Sequence, residues 1–117
     1  MKSQDLQQLI ELAQIREQKS GAKLARLQTL IDQLEGKATA LRTATPNANG
    51  DIGAAIMQDR WHRWRNQQIA VLNTQVARLQ AVAQPERERH ARNVAKRNVI
   101  ETLRARSKAE ARRRDRL

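Results

Sequence analysis

Between Leu6 and Leu41 the sequence repeats at alternating steps of four and three residues: Leu6, Ile10, Ala13, Glu17, Ser20, Leu24, Leu27, Ile31, Leu34, Ala38 and Leu41. That average spacing of 3.5 keeps one stripe of a helix facing a neighbouring helix in a left-handed supercoil. Nine of these eleven positions are apolar; Glu17 and Ser20 break the pattern beside Gly21, and the seam is expected to loosen there. Leu9, Leu12, Ile15 and Leu30 flank the stripe and widen it beyond what a single partner helix covers. The spacing predicts a first helix over about residues 4–43.

The pattern stops in a run of turn formers from Thr45 to Asp51, where Pro46 blocks continuation of a helix. A hinge over about residues 44–51 is expected to fold the chain back, since short connections join antiparallel neighbours. Asp51 is suited to cap the next helix, because its carboxylate can accept from the unpaired amides of the first turn. That second helix is predicted over about residues 52–111. Ile69, Leu72, Val76, Leu79 and Ala83 resume the rhythm, with Ile56, Met57, Trp61 and Trp64 serving the end nearest the hinge less regularly. Pro85 either kinks this helix or opens a third one, the single kinked helix being preferred. Beyond it Ala91, Val94, Ala95, Val99, Ile100 and Leu103 form an apolar face, and the residues after Leu103 are expected to fray.

These segments define an all-α fold, an antiparallel two-helix coiled-coil hairpin treated as one domain over residues 1–117. If the two helices start level at the hinge, Leu41 faces Ala54 and Leu6 faces about Glu88. The longer, basic second helix then overhangs the first, and its last third has no partner within the chain. Of the formal charge of +11, that third (residues 81–117) holds +7, from twelve Lys/Arg against five Asp/Glu. Such a field attracts an acidic partner, nucleic acid or an anionic surface.

Composition argues against catalysis. There is no Cys, Phe or Tyr, and only two His, His62 and His90, each expected to be a solvated surface residue. No Gly-rich phosphate loop is present, and neither cofactor, metal nor catalytic residue is expected. The N-terminus lacks the character of a signal peptide, no run of about 18 apolar residues is present, and a cytoplasmic location is expected. The run Arg60-Trp61-His62-Arg63-Trp64-Arg65 carries the two indoles on neighbouring positions of one helix face. Arg60, Trp61, Trp64 and Arg65 either anchor a partner protein, Trp and Arg being common energetic anchors, or cover the apolar flank of the first helix around Leu34 and Leu41. The cluster Arg104, Arg106, Lys108, Arg112, Arg113, Arg114 and Arg116 is either a solvated end or a clamp for phosphates.

The unequal hairpin, the Trp-plus-Arg segment opening the second helix, and the stretch from Ala91 to Leu103 with Ala95-Lys96-Arg97-Asn98-Val99-Ile100 at its centre resemble the flagellar export protein FliJ and the related YscO-like proteins of injectisomes. The resemblance spans nearly the whole chain through loose motifs. It implies a non-enzymatic central stalk that sits in the pore of a hexameric export ATPase, promotes its assembly and links it to the export gate, meeting the membrane only through partners. On that basis Arg97, Val99, Ile100, Leu103, Arg104 and Arg106 are the candidates for contact with the ring. Arg60, Trp61, Trp64 and Arg65 are the candidates for a second partner such as a gate or chaperone protein. The alternatives are a basic helical nucleic-acid-binding protein and a self-associating scaffold, in which a second copy hides Leu9, Leu12 and Leu30.

Overall fold

A computed structural model describes residues 2–45 and 50–116. The chain is an all-α antiparallel hairpin of two helices, α1 (Ser3–Thr43) and α2 (Ile52–Arg116), with no strand among the described residues. Residues 46–49, with the expected hinge proline, lie outside those described. Asp51 caps α2 as expected: its Oδ1 accepts from the Ala54 amide at 2.6 Å, while its carbonyl takes the Ala55 amide at 3.0 Å. Helix α2 runs unbroken through Pro85, so no third helix begins there. It also continues to Arg116, further than the fraying expected after Leu103. Ala, Lys and Arg sustain a helix on propensity, Glu110 and Arg114 pair one turn apart at 3.9 Å, and Arg113, Arg114 and Arg116 complement the dipole of the last turn.

The chain, expected as one domain, divides into two compact units. Unit 1 joins Met1–Arg26 to Gln84–Leu117, and unit 2 is Leu27–Ala83. In both, α1 turns inward the eleven positions read from its four-three spacing; Leu6, Ile10, Ala13, Ser20, Ile31 and Ala38 are buried, Ile31 completely.

In unit 1 the register departs from the expected one. Leu6 is buried and shares a concavity with Leu103, Arg106 and Glu110, rather than facing Glu88. The basic end of α2 is therefore accompanied by the first turns of α1 and does not stand bare. The reason lies in the polar residues of the seam. Ser20 Oγ meets His90 Nδ1 at 2.7 Å, Lys23 Nζ donates to Glu86 Oε1 at 2.9 Å, and Arg97 pairs with Glu17. Sliding to level ends would separate every one of these pairs and leave polar groups in the seam unsatisfied, which disfavours that register.

In unit 2 the last turn of α1 lies beside Asn73, whose Oδ1 accepts from Arg42 Nη2 at 3.4 Å, so Leu41 does not face Ala54. The overhang of α2 thus belongs to its N-terminal part, roughly residues 52–68 or about 25 Å. A connection of eight residues, 44–51, can reach about 27 Å and so permits this offset. Within the overhanging stretch Ala54, Gln58, Trp61 and Arg65 are half-buried, while Ile52 and Met57 are 82% and 73% exposed. Stepping back from Ile69 by fours and threes leads to 65, 61, 58 and 54. The phase of the long seam sets the rotation of the helix, and Ile56 and Met57 fall outside it.

Candidate partner-docking site

The residues after Pro85 that face α1 in unit 1 are mostly polar: Glu86, His90, Asn93, Arg97 and Arg104, with Val94 and Ile100. Of the apolar face expected to lack a partner in the chain, Ala91, Ala95, Val99 and Leu103 point outward, Val99 59% and Leu103 45% exposed, whereas Val94 and Ile100 are half-buried toward α1. Carrying the four-three steps onward from Ala83 reaches 86, 90, 93 or 94, 97, 100 or 101, and 104. The apolar residues lie off that track, and the helix turns its polar stripe inward because complementary groups on α1 await it.

Those groups are the two residues that interrupt the first helix's apolar stripe. Arg97 is bound on one side by Glu17 and on the other by Glu101, at 3.1 and 3.2 Å. The hydrogen bond from its guanidinium to Glu17, followed by that to Glu101, raises its pKa further above the ordinary arginine value. His90 sits over Gly21, where an added Cβ would lie 3.1 Å from its Cε1. The seam is therefore filled at Gly21 rather than loosened, and the missing side chain makes room for the ring. His90 is accordingly half-buried within the helix pair and not a solvated surface residue. Lys23 holds the Glu86 carboxylate below its ordinary range, chiefly through its hydrogen bond. Partial burial opposes that shift, and the charges of Arg89 and Lys23 add to it.

The candidates for ring contact thus divide. Arg97 is occupied inside the helix pair and Arg104 is half-buried, whereas Val99, Leu103 and Arg106 are exposed. Ile100 lies between these sets and lines a concavity with Leu9, Leu12, Arg16, Asn93 and Lys96. Leu9 and Leu12, read in the sequence as a widening of the stripe and as a surface a second copy could hide, therefore belong to the same surface as Ile100. The continuation of that flank into Arg16, Lys19 and Lys23 went unread, although a spacing argument could have found it, since Leu9, Leu12, Arg16, Lys19 and Lys23 follow three-four steps along one flank of the seam.

The Trp segment belongs to unit 2. Trp61 is half-buried, with the Arg65 guanidinium 5.2 Å from its ring centre and His62 set edge-on at 5.2 Å. Trp64 is 49% exposed, and Arg63 pairs with Asp59 at 3.1 Å. Because α1 ends beside Asn73, nine residues beyond Trp64 and twelve beyond Trp61, the indoles do not cover Leu34 and Leu41. Arg60 is exposed. His62 is exposed, and no group of three or more His, Cys, Asp or Glu converges among the described residues. None of those residues forms a helix long and apolar enough to cross a membrane.

No family model, curated protein or solved structure matches this chain. What the surface offers chemically is an apolar strip, Leu9, Leu12, Val99, Ile100 and Leu103, on a strongly cationic pair of helices.

Proposed function

We propose that the chain is a non-enzymatic stalk or adaptor of a flagellar or type III protein export apparatus. In this reading unit 1 is gripped by a hexameric export ATPase, whose assembly it promotes, and the Trp-bearing stretch of unit 2 meets an export gate or chaperone protein. The observation that carries it is the outward apolar strip of Val99 and Leu103 on unit 1, which bears seventeen Lys/Arg against eight Asp/Glu, a net of +9. Apolar surface left open on so charged an element marks a binding site more often than a free surface. Two helices side by side measure roughly 20 Å across, narrow enough to stand inside a ring of subunits. No hydrolytic role is assigned to the chain; nucleotide turnover belongs to the ring.

The test is the ATPase activity of a purified export ring with the full chain added. The wild type should raise turnover, and the exposed pair of substitutions Val99→Ser and Leu103→Ser should abolish the increase while leaving helix content unchanged. Absence of both stimulation and co-migration with the ring would rule the reading out. A binding partner found instead among nucleic acids would show affinity falling linearly on a log-log plot against salt, with a slope set by the phosphates engaged.

A further inference from the structure

Along one side of unit 1 the two helices enclose a continuous groove. From α1 it is lined in order by Leu9, Leu12, Arg16, Lys19 and Lys23, and from α2 by Ile100, Lys96, Asn93, Arg89 and Glu86. The apolar part around Leu9, Leu12 and Ile100 and the basic part around Lys19, Lys23 and Arg89 share Arg16 and Asn93, so one runs into the other. From Leu9 to Lys23 the groove extends about 21 Å, the length of a four-turn helix.

We propose that this groove docks an acidic amphipathic α-helix of a partner protein, making unit 1 two members of a three-helix arrangement. Apolar side chains of the incoming helix would lie over Leu9, Leu12 and Ile100, and carboxylates would face Arg16, Lys19 and Lys96. Those three cations take part in no ion pair among the described residues, so they are open to a partner's charge. Lys23 and Arg89 are already engaged by Glu86, at 2.9 and 3.7 Å, and contribute less.

Charge selects this occupant over two others. A second copy laid against the groove would set a net +9 against the same charge, a repulsive arrangement at the close range of helix packing. A nucleic acid would find phosphate-binding charge but no stacking platform, since unit 1 contains no Phe, Tyr or Trp. An acidic helix satisfies both parts of the groove, its apolar floor and its unpaired cations, through the helix-in-groove mode of recognition. The inference deepens the adaptor role proposed above by naming the chemistry of a partner, and it depends on no component of an export apparatus.

The probe is a fluorescent synthetic peptide of about 18 residues, long enough to form helix on binding, with Leu at four-three spacing and Glu flanking it. Two controls accompany it: the same residues shuffled so that Leu and Glu no longer segregate, and the original with Lys in place of Glu. Anisotropy with the full chain should show the acidic amphipathic peptide binding at least about tenfold more tightly than either control. Leu12→Ser should weaken it by roughly tenfold, as removal of a buried Leu contact implies. Arg16→Glu combined with Lys96→Glu should weaken it further, and Ile52→Ser in unit 2 should leave it unchanged. Leu12 is 45% exposed, so its substitution preserves the fold, which circular dichroism verifies. Equal binding of the shuffled peptide would overturn the proposal, reducing the effect to bulk charge. So would a wild-type dimer in sedimentation that Leu12→Ser dissociates, or displacement of the peptide by an oligonucleotide. Export-ring stimulation is not read in this assay, so its failure and failure of the stalk reading are separable.

Discussion

Gly21 and Gly36 both occupy helical positions in α1 with negative φ, so Ala fits the backbone at either one. In a helix interior Gly costs about 1 kcal/mol relative to Ala. At Gly36 an added Cβ meets nothing within 4 Å, and Gly36→Ala should realise that whole gain. For 117 residues this corresponds to a rise of about 4 °C in Tm. At Gly21 the same Cβ lies 3.1 Å from His90 Cε1, inside the usual carbon–carbon contact of about 3.5–4.0 Å. The ring must withdraw, but it is tethered at 2.7 Å to Ser20 Oγ, and lengthening that bond forfeits much of the roughly 0.5–1.5 kcal/mol it contributes. Gly21→Ala should therefore be neutral or destabilising. In a His90→Ala background the obstruction is gone, and the same change should stabilise by about 1 kcal/mol, a coupling of that size between the two sites. Thermal unfolding followed by far-UV circular dichroism on the four variants closes the cycle. If Gly21→Ala stabilises the wild type as much as Gly36→Ala does, the imidazole does not occupy the seam and the register of unit 1 is wrong.

Ile31 is completely buried, and Ile31→Ala should cost about 2–4 kcal/mol, read from the midpoint of urea unfolding. Asp51→Ala should remove the cap on α2 and cost about 0.5–2 kcal/mol, with faster amide exchange confined to the first turn after Ile52. Glu86 has its carboxyl pKa lowered on folding from 4.5, so its contribution is present above that value and is lost as the pH falls through the lower folded one. The stability difference between wild type and Glu86→Gln should accordingly hold near neutral pH and shrink as the solution is acidified below 4.5; a difference that grew on acidification would contradict the Lys23–Glu86 pairing.

The two helices, and the ends that flank the hinge, were written into the sequence, whereas the far end of α2 runs on to Arg116, past the fraying expected after Leu103. The four-three spacing of α1 names eleven inward positions from Leu6 to Leu41, because a helix that buries a narrow stripe has no other way to repeat. Asp51 is legible as a cap for an equally local reason, the reach of a short carboxylate to an amide three residues on. What the sequence left undetermined was which part of α2 meets which part of α1. Apolar residues such as Leu and Ala pack acceptably in several registers, so their spacing favoured equal starts at the hinge and left the last third of α2, with its apolar face, bare of any partner in the chain. Three-dimensional pairing decided otherwise. Glu17, Ser20 and Gly21, which looked like defects in one helix, match Arg97 and His90 on the other, and polar groups within a seam tolerate only the alignment that satisfies them. That alignment turns Val99 and Leu103 outward and builds the groove of Leu9, Leu12 and Ile100. The docking surface could not be read from either helix alone, because it exists only once their relative register is set.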